Sequence, residues 1–286
     1  MIVLYTLAML VCFVLLARIV DLFFVSSLDK ISSDLRLSSD AAGATLMAVG
    51  SSAPELFVAL FSVLKPGGHQ MIGIGSIVGS AIFNLLVIVG AAAIIRKIKL
   101  TWQPVIRDLI FYTIAVGLLV WFILDGEFTL PEAIIFLAVY LFYVVAVVHW
   151  KKILPYPERE FDIPEEPPFR KKGIIGFFDN VLRRMFPDEK HYHLVFFFSI
   201  FLIAGLSWAL VELAVLISVA LNIPEAIIAL TVLAVGTSIP DLFSSMIVRI
   251  LAISEDVYSF SYGLSQPIFT FSAISSIFCC IVSETT

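Results

Sequence analysis

Long apolar runs alternate with short polar links along this chain of 286 residues. Each run has about the 20 apolar residues that an α-helix needs to cross the hydrocarbon core of a bilayer. The runs lie near residues 1–29, 38–64, 71–95, 105–124, 130–148, 193–221, 224–250 and 257–281. The pattern therefore predicts an all-α polytopic membrane protein with about eight transmembrane helices.

The amino-acid composition also indicates a chain that is embedded in lipid. The chain is 60% hydrophobic and 14% charged, whereas soluble domains carry about 25% charged residues. A soluble core could not cover that much apolar surface, so we expect lipid to surround most of the chain. No basic stripe typical of nucleic-acid binding is present, and no nucleophile lies beside a base. We therefore expect neither a nucleic-acid partner nor an enzyme.

Charged residues concentrate in one polar, proline-rich connection, residues 149–192. It divides the chain into an N-terminal transmembrane half, 1–148, and a C-terminal transmembrane half, 193–286. Residues 173–186 within it have an apolar stripe, which predicts a short helix lying on the membrane surface.

Basic residues predict the orientation. They follow the odd-numbered spans, whereas the links after even-numbered spans carry none except Lys65. The odd links contain Lys30, Arg36, Arg96, Lys97, Lys99, Arg107, Lys151, Lys152, Arg170, Lys171, Lys172, Arg183 and Arg184. Because cytoplasmic links are enriched in Lys and Arg, we expect the N-terminus outside and the 149–192 loop in the cytoplasm. The pattern leaves open whether the membrane is the plasma membrane or that of an organelle.

A motif occurs twice. Gly-Ser-Ser-Ala-Pro-Glu at 50–55 returns as Gly-Thr-Ser-Ile-Pro-Asp at 236–241, 186 positions later. An odd number of spans separates the two copies, so they cross the membrane in opposite directions. Inverted repeats of this kind build many secondary transporters and meet near the bilayer midplane. We place the first repeat at about 38–95 and the second at about 224–281.

The repeated carboxylates, Glu55 and Asp241, fall in the middle of their spans. A charged side chain there costs roughly 2.5–3.5 kcal/mol, and no Lys or Arg lies near either in sequence. A bound cation would offset that cost. Pro54 and Pro240 should break the helix and expose carbonyl oxygens. The alternative is a proline kink with a protonated carboxylic acid that hydrogen-bonds across helices.

Hydroxyl groups surround both carboxylates in sequence. They belong to Ser51, Ser52, Thr237 and Ser238. Such hard oxygen ligands suit Ca²⁺, Na⁺ or Mg²⁺ rather than soft metals. A second element, residues 75–84, follows the first copy. In it, Gly75 and Gly79 are spaced for close helix approach, and Asn84 offers an amide oxygen at mid-membrane depth.

These motifs resemble a known family. Residues 43–57, 75–84 and 230–249 are similar to the α-repeats of the cation/Ca²⁺ exchanger superfamily. They are most similar to its potassium-dependent sodium/calcium exchanger branch, which carries Glu in the first repeat and Asp in the second. The resemblance implies a ten-helix inverted-repeat exchanger fold that works by alternating access, of which this chain contains about eight helices. It also implies that sodium and calcium compete for one set of sites.

The resemblance implies a ligand set. Glu55 and Asp241 would be the central ligands shared by calcium and sodium. Flanking oxygens would come from the side chains of Asn84, Ser80, Ser51, Ser52, Thr237 and Ser238 and from the backbone carbonyls of Ala48 and Ala234. No prosthetic group is implied; Ca²⁺ and Na⁺ are cargo, and K⁺ is left open.

The second repeat departs from the family pattern. Thr270 occupies the position equivalent to Asn84 in the second repeat, where the family carries Asp or Asn. Potassium dependence is therefore open. We expect the stretch from about Ser254 to be truncated or divergent. On that hypothesis this form transports poorly unless a partner, either a full-length exchanger or another copy, supplies further helices.

Two alternatives remain at this stage. One is a Ca²⁺/H⁺ or other divalent-cation exchanger, which would use the same carboxylates. The other is a non-transporting isoform that acts by binding full-length partners.

Overall fold

The computed structural model describes residues 1–37, 42–95, 102–124, 129–154, 191–239 and 241–242, together with Leu182, Arg184 and Phe186. These residues form helices and turns and contain no strand. The predicted eighth span, 257–281, and most of the 149–192 connection lie outside them.

Seven helical segments are long or apolar enough to be matched with the predicted spans. They are α1 (Ile2–Asp34), the broken helix α2 (Thr45–Ser51 and Ala53–Leu64), α3 (Gln70–Ala91), α4 (Trp102–Ile123), α5 (Leu130–Ile153), α6 (Tyr192–Leu221) and α7 (Glu225–Ile239). Each coincides with one predicted span, and α1 continues to Asp34 instead of ending near residue 29. The polytopic all-α prediction is therefore confirmed for the described part of the chain.

Contacts between links show which helix ends share a side. His69, between α2 and α3, places Nδ1 2.9 Å from a carboxylate oxygen of Glu225 at the start of α7. At the opposite end, the Tyr192 hydroxyl at the start of α6 hydrogen-bonds to Asp34 at the end of α1. The links after α2 and α6 therefore lie together, and so do those after α1 and α5. This is the alternation that the basic residues predict.

Two further contacts fit the same arrangement. The Trp150 indole near the end of α5 donates to the Gln103 carbonyl at the start of α4, over 3.1 Å. Lys65, the basic exception among the even links, forms an ion pair with Glu212 of α6. Its charge is thus matched within the protein, which explains why it does not disturb the pattern of basic links.

Arg107 differs from the other basic residues. It lies inside α4 rather than in a link and is fully buried. Its Nε is 2.8 Å from Asp108 Oδ1, which also accepts the Tyr143 hydroxyl over 3.1 Å. A buried cation requires such a partner. The Asp108–Tyr143 hydrogen bond therefore ties α4 to α5, and Arg107 is paired inside the protein instead of marking the cytoplasmic face.

The main apolar core lies between α1, the second part of α2, α6 and α7. Its fully buried members include Leu16, Val58, Ile203 and Leu233. Two residues of the long connection join this core: Phe186 stacks on Phe23 of α1 with ring centroids 3.6 Å apart, and Leu182 is buried. The predicted surface helix is described only at these positions and at Arg184, and the two apolar ones face protein.

Helix α3 crosses α7 at very short range, as the glycine spacing predicts. A Cβ atom at Gly79 would stand 2.2 Å from the Leu230 carbonyl oxygen, and one at Gly75 would stand 2.9 Å from that of Ala226. The second element of the first repeat is thus pressed against the motif helix of the second repeat.

The internal repeat extends to the backbone. A π-helical turn, Gly43–Met47, precedes the first motif, and another, Ala229–Leu233, precedes the second at the same offset of 186 positions. Two more π turns occur in α1 (Val20–Phe24) and in α3 (Asn84–Ile88). Such turns are rare and frequently lie at functional sites.

Candidate functional site

The first motif breaks α2. The helix stops at Ser51, Ser52 adopts φ −88° and ψ 5°, and a new helix begins at Ala53 with Pro54 in its first turn. The two parts meet at a bend of 52°. Proline accounts for this, because its ring clashes with the preceding turn but suits the first positions of a helix. The predicted helix break is therefore confirmed in this copy.

The structure describes every residue of the second motif except Pro240. Helix α7 runs to Ile239, and Asp241 and Leu242 are again helical. Thr237 and Ser238 are buried at 1% and 0% exposure, and Asp241 is half-buried. Whether Pro240 breaks this helix as Pro54 breaks α2 falls outside the described part.

Glu55 is the centre of the site. Its side chain is 1% exposed, and neither carboxylate oxygen has a hydrogen-bonding partner among the described residues. Hydroxyl groups from the other half of the protein and from α3 lie around it, those of Thr237, Ser238 and Ser80. A carboxylate in this setting carries a large desolvation cost, which a cation would offset.

Asp241 stands in the reciprocal environment. The Ser51 hydroxyl of the first motif and the Glu55 carboxylate are among the groups that lie near its carboxyl group. In the repeat, Ser51 corresponds to Thr237 and Glu55 corresponds to Asp241. Each carboxylate thus faces the hydroxyl of the opposite repeat, which is the relation expected of a two-fold pseudo-symmetric site.

The two predicted carbonyl ligands are engaged by hydroxyls. Ser51 Oγ donates to the Ala48 carbonyl over 3.3 Å, and Thr237 Oγ1 lies 3.4 Å from the Ala234 carbonyl. These two contacts again differ by 186 positions. Ser80 Oγ reaches the same Ala234 carbonyl over 3.2 Å, so α3 joins the second motif directly.

Two more predicted oxygen donors are buried without a hydrogen-bond partner among the described residues. Asn84 is 3% exposed and its Oδ1 accepts no hydrogen bond from the described residues; the Ser238 hydroxyl is likewise unsatisfied. Ser52 is buried at 8% exposure, at the break itself. Buried oxygen atoms normally find a partner, so these atoms are suited to a ligand.

Sequence reasoning missed two nearby residues. Ser76, one turn before Ser80 on α3, is fully buried, and its hydroxyl finds no partner among the described residues. Its spacing of four from Ser80 placed both on one helix face and was the available signal. Ser207 of α6 donates to the Pro54 carbonyl over 3.3 Å. Nothing in the sequence links it to the motif.

The chemistry of the site is that of hard oxygen atoms. Within the described ranges, no group of three or more His, Cys, Asp or Glu side chains forms a metal cluster. The site instead combines two carboxylates with hydroxyl and amide oxygens. That donor set suits Na⁺ and Ca²⁺, which accept neutral oxygen ligands readily.

Comparison with known proteins decides the family. The family model for the sodium/calcium exchanger protein matches residues 5–149 and 191–283, which is most of the chain. The chain belongs to the sodium/calcium exchanger family. It is an integral membrane protein of a family of transporters rather than enzymes, and the recognition made from its two α-repeats is confirmed.

The curated relatives of this exchanger-family chain are named for three ions, sodium, potassium and calcium. It is 42% identical over 154 residues to sodium/potassium/calcium exchanger 4 of Mus musculus, a match that covers 53% of this chain and 24% of that protein. It is 43% identical over 145 residues to sodium/potassium/calcium exchanger 1 of Bos taurus, covering 50% and 12%. The matched part is thus about a quarter or less of the relatives' length.

Solved structures confirm the fold of this exchanger-family chain. The sodium/calcium exchanger from Methanococcus jannaschii aligns over 98% of this chain and 82% of its own, with a TM-score of 0.54 and 22% identity. A sodium-calcium exchanger structure soaked with Na⁺ and Sr²⁺ aligns with a TM-score of 0.55 and 23% identity, over 97% and 83%. The inverted-repeat exchanger fold predicted from the motifs is therefore confirmed.

Proposed function

We propose that this chain is a secondary antiporter that exchanges sodium for calcium across a membrane by alternating access. The observation that carries the proposal is the Glu55 carboxylate, which is buried without a hydrogen-bond partner among the described residues and lies near hydroxyls of the opposite repeat. With Asp241 it supplies two negative charges, which can neutralise one Ca²⁺ or be neutralised by Na⁺ ions. The family and the names of the relatives support the same ion pair.

The ligand set belongs to this proposal. Glu55 and Asp241 would hold the cation, and the neighbouring oxygen atoms would complete its shell. We assign that shell to Ser51, Ser52, Ser80, Asn84, Thr237, Ser238 and the carbonyls of Ala48 and Ala234. Because hydroxyls occupy both carbonyls here, the carbonyls can act as ligands only if those hydroxyls turn toward the ion.

The arrangement in the membrane is also proposed. The contacts between links show which helix ends lie together, and the basic links support an N-terminus outside and a 149–192 loop in the cytoplasm. The membrane is the plasma membrane or that of an organelle. The transmembrane halves, 1–148 and 193–286, would rock against each other around the site.

Flux and binding measurements test the proposal. The purified chain is reconstituted in vesicles loaded with Na⁺ and diluted into Na⁺-free medium, and ⁴⁵Ca²⁺ uptake is followed. We expect uptake driven by the Na⁺ gradient, and Ca²⁺-dependent thermal stabilisation of the same protein in detergent, because a ligand that binds only the folded state raises its stability. Glu55→Gln should abolish both, whereas Asp29→Asn, an exposed carboxylate at the end of α1, should leave both unchanged.

The outcomes separate the alternatives. Uptake that follows a pH gradient at fixed Na⁺ would favour a Ca²⁺/H⁺ exchanger, and stimulation by K⁺ would add potassium co-transport. Ca²⁺ binding without flux, together with co-purification of a full-length exchanger or a second copy, would favour the partner-dependent form. Absence of both Ca²⁺ binding and flux would contradict the proposal.

A further inference from the structure

Helix α3 carries a line of three buried polar side chains. Ser76, Ser80 and Asn84 are spaced by four, so they lie along one side of the helix. Ser76 and Ser80 are fully buried, whereas Met71 and Ile74, on the opposite side, are exposed. The polar side of α3 is therefore turned towards the protein interior and not towards lipid.

The second part of α2 packs on the start of α3. A Cβ atom at Gly73 would stand 2.5 Å from Ser62 Oγ and 3.1 Å from Ala59 Cα. Glu55, Ala59 and Ser62 are spaced by four and by three, so they share one side of this unbroken helical part. Glu55 therefore lies on the side of α2 that contacts α3, one turn from the contact with Gly73.

Helix α7 packs on α3 at the next positions. A Cβ atom at Gly75 would stand 2.9 Å from the Ala226 carbonyl oxygen and 3.0 Å from Ala229 Cβ. The π turn Ala229–Leu233 begins at this contact, and π turns frequently lie at functional sites. On a helix with about 3.6 residues per turn, position 76 falls between positions 75 and 73 around the circumference. Ser76 therefore lies between α7 and α2, level with the π turn.

The Ser76 hydroxyl has no hydrogen-bond partner in the described part of the chain. The same is true of both carboxylate oxygens of Glu55 and of the Asn84 amide oxygen. A nearby buried serine behaves differently, because Ser62 Oγ donates to the Ala59 carbonyl over 2.8 Å. An unsatisfied buried hydroxyl is costly, so several such oxygen atoms beside one carboxylate indicate a ligand that contacts them together.

We propose that the Ser76 hydroxyl is a further ligand of the transported cation, one turn from Ser80 on the side of the α2–α3 link. This inference rests on the proposed exchange function, and it adds to the site a residue that the resemblance to the family does not supply. A hydroxyl oxygen is a hard, neutral ligand, which suits Na⁺ or Ca²⁺. Ser76 and Ser80 supply oxygen atoms from α3, and Glu55 supplies its carboxylate from α2.

A soft ligand at position 76 tests this assignment through a gain of binding. Ser76→Cys, Ser80→Cys and Ser62→Cys are made in the 286-residue chain after its native cysteines have been replaced, and each protein is titrated with CdCl₂ in detergent. Because thiolates favour soft metal ions, Ser76→Cys and Ser80→Cys should bind Cd²⁺ about tenfold more tightly than the cysteine-free protein. Both should also show the ultraviolet absorption of a cadmium–thiolate bond.

The matched control is Ser62→Cys. Ser62 is as fully buried as Ser76 and lies on the neighbouring helix, but its hydroxyl is bonded to the Ala59 carbonyl. Ser62→Cys should therefore show neither the gain in Cd²⁺ affinity nor the absorption. A thiol that is merely buried in this region is thereby distinguished from one that reaches the ion.

Loss of the hydroxyl gives a second measurement. Ser76→Ala removes no hydrogen bond to the described residues, so the ion-free protein should melt at the wild-type temperature or above it. Its apparent Kd for Ca²⁺ or for Na⁺, taken from melting curves at increasing ion concentration, should rise about tenfold because one oxygen contact to a charged ion is lost. Ser62→Ala should keep the wild-type Kd values and melt at a lower temperature, since it loses a buried hydrogen bond.

The outcomes separate this inference from the exchange function. A gain of Cd²⁺ binding in Ser80→Cys but not in Ser76→Cys overturns the inference and leaves the exchange site intact. Unchanged Kd values for both ions in Ser76→Ala overturn it as well, and this variant decides alone if Ser76→Cys does not fold. A loss of ion-free melting temperature as large as that of Ser62→Ala would assign Ser76 a structural role instead. Wild-type protein that binds neither Ca²⁺ nor Na⁺ would contradict the exchange function, and the inference with it.

Discussion

At the scale of single residues, the site depends on buried polar atoms that the described residues leave without a hydrogen-bond partner. Buried oxygen atoms usually find partners, yet both Glu55 oxygens, Asn84 Oδ1 and Ser238 Oγ find none among the described residues. Other buried serines behave differently: Ser199 Oγ donates to the Val195 carbonyl over 2.6 Å. Residue type alone would not separate these two groups of serines, because each lies in an apolar helix.

This contrast predicts opposite outcomes for two matched substitutions. Ser238→Ala removes a hydroxyl that makes no hydrogen bond to the described residues, so the ion-free protein should lose well under ~1 kcal/mol of stability. Its Ca²⁺-dependent rise in melting temperature should shrink, since one oxygen of the shell is gone. Ser199→Ala should keep the full Ca²⁺ response. Melting curves with and without CaCl₂ measure both quantities, and an unchanged Ca²⁺ response in Ser238→Ala would remove Ser238 from the site.

At the scale of helices, the site depends on close contact between the repeats. The Gly79 position allows α3 to approach the Leu230 carbonyl of α7, and this approach brings Ser80 to the Ala234 carbonyl. Glycine spacing predicted a close helix pair but did not identify the partner helix. The partner was decided by the fold, because any of the apolar helices could satisfy a small-residue face in sequence terms.

We therefore expect Gly79→Ala to be severe. Its Cβ would meet backbone at 2.2 Å, so α3 and α7 must separate, at a cost of about 1–3 kcal/mol for overpacking. Ca²⁺ binding should fall because Ser80 moves away from the second motif. Gly205→Ala in α6 is the control: no described atom lies within 4 Å of its Cβ, and it should gain up to about 1 kcal/mol in helix propensity. Wild-type Ca²⁺ affinity in Gly79→Ala would contradict the assigned contact.

At the scale of the whole molecule, the inverted repeat organises the chain. The motif, the π turn before it and the hydroxyl contacts on Ala48 and Ala234 all return after 186 positions. Helix α1 lies across both copies without belonging to the repeat. At each end of the helices, the links contact one another: His69 with Glu225 at one end, and Tyr192 with Asp34 at the other.

The topology yields a direct prediction. After replacement of the native cysteines, Pro66→Cys in the link after α2 and Ser33→Cys in the last turn of α1 introduce thiols at exposed positions on opposite sides. A membrane-impermeant thiol reagent should modify Pro66→Cys from outside and Ser33→Cys only from the cytoplasmic side. Labelling in right-side-out and inverted vesicles measures this. Reaction of both from one side would contradict the fold, and the reverse assignment would contradict the orientation alone.

The sequence by itself determined the class of protein, the spans, the inverted repeat and the residue types of the site. Membrane spans need long apolar runs, which the sequence shows directly. A carboxylate beside Gly, Ser and Pro is rare within a membrane span, and this chain contains that combination twice. Only the tertiary structure decided which groups and helices meet: that Glu55 lies near the hydroxyls of Thr237 and Ser238, that Asp241 lies near that of Ser51, and that α3 packs closely on α7. These contacts depend on helix crossing and rotation, which apolar periodicity leaves undetermined because every face of a lipid-buried helix is apolar.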